Sequence, residues 1–261
     1  MYMLLNKTME DKKQKYAIQK INTEKDQIKH PESAEEEIIP KLCTSMLFIG
    51  KSGSGKSILL ANLLMNKHFY NKNESFKHIF LISPTGKSDD IQKSLKLPDS
   101  HIVTDLEVAI PFLEKIYEHQ SDSVEINGAK NTPQICIIFD DVVSNVKFMN
   151  SAVFIRTFVA NRHSNITVML CTQHFKRVPR VCRLQANTLY FFALSNSEIE
   201  LLVEEFAPPG MHKQDFKFMV DVALRKPYDF FTVNMKKPWA TRFSRGLLET
   251  FDLEFFKRMK V

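Results

Sequence analysis

"MLFIGKSGSGKSILLANLL", residues 46–64, decides the fold. Four apolar residues run straight into Gly50, and Lys56-Ser57 open a second apolar stretch with helical spacing. The pattern GxxxxGKS between a strand and a helix is a phosphate-binding loop. Gly53 and Gly55 leave room for successive backbone N–H groups to converge on phosphates, and the helix start adds partial positive charge. Gly50, Lys51, Ser52, Gly53, Ser54, Gly55, Lys56 and Ser57 are thus the expected ATP-binding set. Lys56 is expected to reach the β- and γ-phosphates, and the Ser57 hydroxyl to hold Mg²⁺.

A loop of this kind needs an acidic partner, and "QICIIFDDVVSN" supplies one. An aliphatic run that ends in Asp140-Asp141 reads as a Walker B strand. Asp140 is expected to hold the Mg²⁺ shell, and Asp141 to act as general base on the attacking water. Taken alone, two acids there also suit a helix cap. A third run, "ITVMLCTQHFKRVPRVCR", ends in Thr172-Gln173 and then in cations. A strand inserted between the two nucleotide motifs would bring Gln173 to the γ-phosphate, where its amide meets both water and phosphate oxygen. The following cations, Lys176, Arg177, Arg180 and Arg183, form a basic cluster that would suit nucleic-acid phosphates or an ATP site, unless it is only a solvated loop.

Two look-alikes are set aside. A second "GKS" at 86–88 lacks the leading glycine and is followed by Asp89-Asp90, so it reads as a loop and helix cap. "NKNE" at 71–74 faintly resembles a guanine-reading motif but comes one helix after the phosphate loop, and guanine specificity does not follow.

Outward from these motifs, strands are expected at 45–49, 78–82, 135–139, 166–172, 188–193 and 230–233. Helices are expected at 57–66, 105–119, 152–161, 196–206 and 215–224. Nearly continuous apolar strands alternating with helices predict an α/β protein with a mostly parallel, doubly wound sheet. Residues 120–134 read as a surface loop, and 241–261 as a terminal amphipathic helix. The expected organisation is a charged N-terminal arm over 1–40, flexible or partner-dependent, an ATPase domain over 41–245, and a C-terminal helix over 246–261.

The bulk composition fits. The chain has 261 residues, 44% hydrophobic and 11% aromatic, enough for one α/β domain with extensions. No apolar run approaches the roughly 20 residues of a membrane span. The leading "MYMLLNKTMEDKKQK" is too short in apolar residues for a signal peptide, so the chain is expected in a reducing compartment and not secreted. Cys43, Cys136, Cys171 and Cys182 show no CxxC spacing and read as small buried hydrophobes. Eight histidines without HxxxH or HxH pairs suggest no metal cage. A net charge of +6 permits a polyanionic partner without requiring one.

"GKSGSGKS", "IIFDD", "NRHSNITVMLCTQHF" and the basic segment before "NTLYFFAL" together resemble the FtsK/HerA superfamily of DNA-pumping ATPases, on the branch of poxvirus-type genome-packaging ATPases of large double-stranded DNA viruses. The resemblance spans about residues 41–242. It implies a RecA-like P-loop core of the additional-strand, catalytic-acid class and assembly into a homo-oligomeric ring. It also implies ATP- and Mg²⁺-dependent movement of double-stranded DNA, without sequence preference, into a capsid through a capsid or portal-type partner. The implied location is the viral assembly site in the host cytoplasm, or the virion. In the family's terms Lys56 and Ser57 match Walker A, Asp140 and Asp141 Walker B, and Gln173 the sensor. Where the bacterial branch carries an arginine finger this chain has "ANTLY", so the finger is unassigned among Arg162 (favoured), Arg180, Arg183 and Arg156. The alternatives are a related DNA pump or helicase-like motor in another role, and a nucleotide-binding assembly switch with little hydrolysis.

Overall fold

The structure, a computed structural model, describes residues 28–86 and 90–258. Continuous apolar runs form its central strands. These are β1 (Ser45–Ile49), β2 (His78–Ile82), β4 (Ile135–Asp140), β5 (Ile166–Thr172) and β6 (Thr188–Phe191), with a two-residue β3 (Ile102–Val103). Every residue of β1 and β5 is buried, because helices cover both faces of the sheet. Three antiparallel strands extend it: β7 (Phe231–Asn234), β8 (Phe243–Arg245) and β9 (Glu249–Thr250).

The strand order is β3-β2-β4-β5-β1-β6-β7-β8-β9, with the first six strands parallel. β5 therefore separates the phosphate-loop strand β1 from the acidic strand β4, the inserted position expected of the sensor strand. Alternation along β1 divides the core. Leu47 and Ile49 face a layer built from α3 (Leu106–Asn127), α4 (Ala152–Val159), α6 (Asn196–Phe206) and α7 (Lys213–Ala223). Met46 and Phe48 face α1 (Lys56–Met65) and α2 (Asp90–Leu95) on the other side. The doubly wound α/β reading holds.

Three expectations change. The segment at 120–134 is not all loop, since α3 continues to Asn127 and ends at Gly128, whose φ is +76°. Polar residues in that last stretch find tertiary partners. The Gln120 amide donates to the carbonyls of Pro133 (3.0 Å) and Ser164 (3.1 Å), and the Ser121 hydroxyl meets that of Ser164 (3.1 Å). The C-terminal stretch is not one helix either. It forms β8, a turn with Gly246 at φ +62°, β9, and only then α8 (Leu253–Arg258). Pairing with β7 overrides the local helical pattern there.

At the other end, Ala34 and Ile39 are 1% and 2% exposed and join the core beside α1, so the packed domain reaches back beyond the expected start at residue 41. The rest of the expected arm, residues 1–27, lies outside the described residues, as do Lys87 to Asp89 of the second "GKS" stretch. All four cysteines are buried. Among the described residues no helix is long and apolar enough to cross a membrane.

Candidate nucleotide site

The phosphate loop is strung between two neighbouring strands. As β1 ends, the Gly50 N–H donates to the Thr172 carbonyl of β5 (3.1 Å), and the Lys51 N–H donates to the Ala193 carbonyl just past β6 (2.9 Å). Gly50 is needed for space, because a Cβ there would stand 2.7 Å from Phe192 Cβ and 2.9 Å from Ser54 Oγ. Gly53 has φ +71° and nothing within 4 Å of its would-be Cβ, so its backbone faces open space. Gly55, at φ +104°, is the N-cap of α1.

Lys56 is only 8% exposed, and its Nζ donates to the carbonyls of Gly50 (2.7 Å) and Lys51 (2.9 Å). The buried Ser54 hydroxyl has no hydrogen-bond partner among the described residues. A glycine-containing loop at a helix start, with an ammonium held inside it, suits a polyphosphate.

Strand register brings the acids and the amide to the same edge. Ile49 pairs with Thr172, and Asp140 with Cys171, so the ends of β1, β5 and β4 lie in a row. The Thr172 hydroxyl accepts from the His174 N–H (3.0 Å), a tight local turn that leaves Gln173 exposed. Asp141 is exposed, with the left-handed backbone of φ +51°, and caps a single 3₁₀ turn. Residues 52–58, Thr85, Asp140, Asp141 and Gln173 line one cleft of about 370 Å³. The expected lysine, carboxylate pair and amide do converge.

Thr85 was not anticipated. It follows β2, next to Ser83, whose hydroxyl lies 3.1 Å from its own. The polar "SPT" after an apolar strand was the available signal, since β2 borders the acidic strand. Two larger cavities, of about 850 and 570 Å³, open at the opposite edge, where the parallel strands begin. Neither contains a phosphate loop, so donor chemistry and not size picks the site.

The cations divide. Lys176, Arg177 and Arg180 are exposed, the first two on the 3₁₀ turn just after Gln173. Arg183 is not available to DNA or to a second subunit. It lies in α5 (Arg180–Gln185), 8% exposed, and its guanidinium forms a bidentate pair with the Glu205 carboxylate. It also donates to the Val178 carbonyl (2.6 Å) and stacks over Phe175. Arg156 lies 5.0 Å over the Tyr117 ring. Arg162 sits in the 3₁₀ turn before β5 and lines the 570 Å³ groove, at the far edge from the cleft of its own chain. The "ANTLY" position has a structural use, for Asn187 Oδ1 accepts from the Ser45 N–H (3.2 Å) and the Thr44 hydroxyl (2.9 Å).

Known proteins resemble this chain in sequence and in fold. The DNA packaging protein OPG160 of Monkeypox virus is 25% identical over 174 residues, covering 66% of this chain and 55% of that protein. An uncharacterized protein 015R of Frog virus 3 is 26% identical over 157 residues, 59% of this chain and 45% of that one. The chain thus spans about half the length of these curated relatives. Among solved structures, the genome packaging NTPase B204 of Sulfolobus turreted icosahedral virus 2 in complex with AMP aligns with a TM-score of 0.55 at 16% identity. It covers 78% of this chain and 96% of that one. The cytoplasmic domain of the Type VII secretion ATPase EccC of Thermomonospora curvata aligns at 0.52 with 14% identity, over 80% of this chain and 25% of that one. These structural likenesses bear on the fold, that of P-loop ATPases. The family model for the poxvirus A32 protein matches residues 35–226, from the first core-packed segment through β5 and α7, and the chain belongs to that family.

Proposed function

We propose that this chain is an ATP-driven motor that packages double-stranded DNA into a virus particle, working as a homo-oligomeric ring inside the infected cell. The observation that carries the reading is the single cleft shared by the phosphate loop, Asp140, Asp141 and Gln173, with the sensor strand tied to the loop by the Gly50–Thr172 hydrogen bond. A simple nucleotide binder needs the loop alone. A carboxylate base and an amide around the same space add what hydrolysis requires. The packaging role is supported by the family and by the Monkeypox virus relative, a DNA packaging protein.

In this reading the loop N–H groups and Lys56 hold the triphosphate. Ser57 and Asp140 would hold Mg²⁺, which when bound neutralises charge on the phosphate oxygens. Asp141 takes a proton from the attacking water, and Gln173 orients that water and registers the γ-phosphate. Because Gln173 follows directly on Thr172, a shift at the amide acts on the carbonyl that anchors the loop. Charge on the transferring group calls for an arginine from a neighbouring copy. Arg180 is exposed beyond Gln173, whereas a neighbour's Arg162 would have to present its strand-beginning edge. Lys176 and Arg177 are the best-placed DNA phosphate contacts, without base readout. The docking partner on the particle would be a capsid or portal-type protein.

The test is ATP turnover by the purified chain with and without duplex DNA, alongside its mass in solution. Stimulation by duplex DNA and a ring-sized mass with ATP are expected. Strand separation would move the chain to the helicase-like alternative. Binding without turnover would leave an assembly switch.

A further inference from the structure

The cleft fixes the direction in which a nucleotide must lie. Asp140, Asp141 and Gln173 stand on the β4–β5 side of β1, so the terminal phosphate faces that side. The nucleoside must then leave towards β6 and β7. Because β7 runs antiparallel to β6, with Phe231 opposite Phe191, its first residue lies at the edge where the parallel strands end. The turn just before β7 therefore stands beside the phosphate loop.

Tyr228 occupies that turn. It is 68% exposed, and its Cδ1 would lie 3.5 Å from a Cβ at Gly55, the residue that caps α1. Its φ is +67°, a conformation that non-glycine residues adopt at a cost and keep where the surroundings impose it. The surroundings are explicit. Asp229 Oδ2 accepts from the Lys226 N–H (3.2 Å) and from Arg245 Nη2 (2.7 Å), and the Asp229 N–H donates back to the Lys226 carbonyl (3.2 Å). The Gly246 N–H, from the β8–β9 turn, donates to the Phe230 carbonyl (2.8 Å). Beneath it, the rings of Phe192 and Phe230 pack 5.2 Å apart and floor the turn. A pinned turn thus holds an exposed aromatic ring in an unfavourable backbone state next to a phosphate loop.

We propose that Tyr228 forms one wall of a seat for the base of a nucleoside triphosphate, stacking on its face, with the Asp229–Arg245 pair as the positioning device. This rests on the phosphate-loop reading of residues 50–57. Stacking recognises any base with a π-face, so the ring contributes affinity and orientation more than choice among bases.

Calorimetric binding of a non-hydrolysable ATP analogue and of tripolyphosphate, each with Mg²⁺, to the full chain tests it. Tyr228→Ala is expected to weaken the analogue about tenfold, as loss of one base stack does, while tripolyphosphate affinity stays unchanged. Tyr228→Phe is expected to restore the analogue, and Arg245→Ala, which loosens the turn, to give an intermediate loss. Unchanged analogue affinity in Tyr228→Ala overturns the seat. So does an equal loss for both ligands, which would mean that the ring only shapes the loop. If the unmodified chain binds neither ligand, the phosphate-loop reading itself fails, and the seat with it.

Discussion

Replacing Arg183 by alanine separates the two jobs that a cation after β5 can have. In the structure it is a buried anchor. Its Nε lies 3.1 Å from each Glu205 carboxylate oxygen, and side-chain exposure is 9% for Arg183 and 11% for Glu205. Removing one partner of such a pair leaves an uncompensated buried charge, a cost of about 3–5 kcal/mol. The Val178 carbonyl loses its 2.6 Å donor as well. For a domain of this size, at about 2–4 °C per kcal/mol, the melting temperature should fall by about 6–20 °C. Arg183→Met combined with Glu205→Leu removes both charges and should recover most of the loss. DNA affinity measured across a salt series on folded protein should keep its slope in both variants. By contrast, Lys176→Ala with Arg177→Ala should leave stability within about 0.5 kcal/mol and reduce the slope by about 1.8, roughly 0.9 per lost phosphate contact. Urea titrations and the salt series together decide. An Arg183→Ala protein as stable as the parent, with a flattened slope, would refute the anchor.

Asp141→Asn should bind ATP and lose turnover by about 10²–10⁴-fold, whereas Lys56→Ala should weaken binding as well, read by nucleotide binding beside phosphate release. Retained turnover in Asp141→Asn would remove it as the base. The two loop glycines should lose stability for different reasons: Gly50→Ala forces overlap with Phe192 and should cost about 1–3 kcal/mol of stability, read by denaturation. Gly53→Ala meets no described protein atom within 4 Å, so its cost should be the left-handed backbone strain alone, about 1–2 kcal/mol of stability read by the same denaturation. Burial pushes the Cys182 thiol up to about 12, and Cys136 is raised still more strongly, also by burial. Both should resist a thiol reagent at pH 8 until the protein unfolds, and labelling of the native chain at either, seen by peptide mass mapping, would contradict the packing.

Much of the site was readable because its chemistry is local. The phosphate loop, the acids at the end of β4 and the amide after β5 each end an apolar run, and β1, β2, β5 and α6 have the expected bounds. What escaped depended on partners far along the chain. The last turns of α3 carry Ser, Asp and Asn, weak helix formers, and their support comes from Pro133 and Ser164. Arg183 looks like its exposed neighbours until α6 supplies Glu205, 22 residues away. β8 and β9 are three and two residues long, too short for a periodic signal, and exist by pairing, β8 with β7 and β9 with β8. Tyr228 sits in "KPYD", which reads as a turn and nothing more, because only antiparallel pairing carries that turn to the loop.

Both outermost strands of the sheet, β3 and β9, are two residues long, and on one side the strands taper from four residues to three to two. A border so short offers an incoming chain almost no ladder to continue, which discourages fibre-like stacking of one molecule on the next. In the proposed ring, neighbouring copies would then meet through the side chains of loops and helices. Such contacts would loosen and re-form within each cycle of the proposed motor, which a continued backbone ladder would hinder.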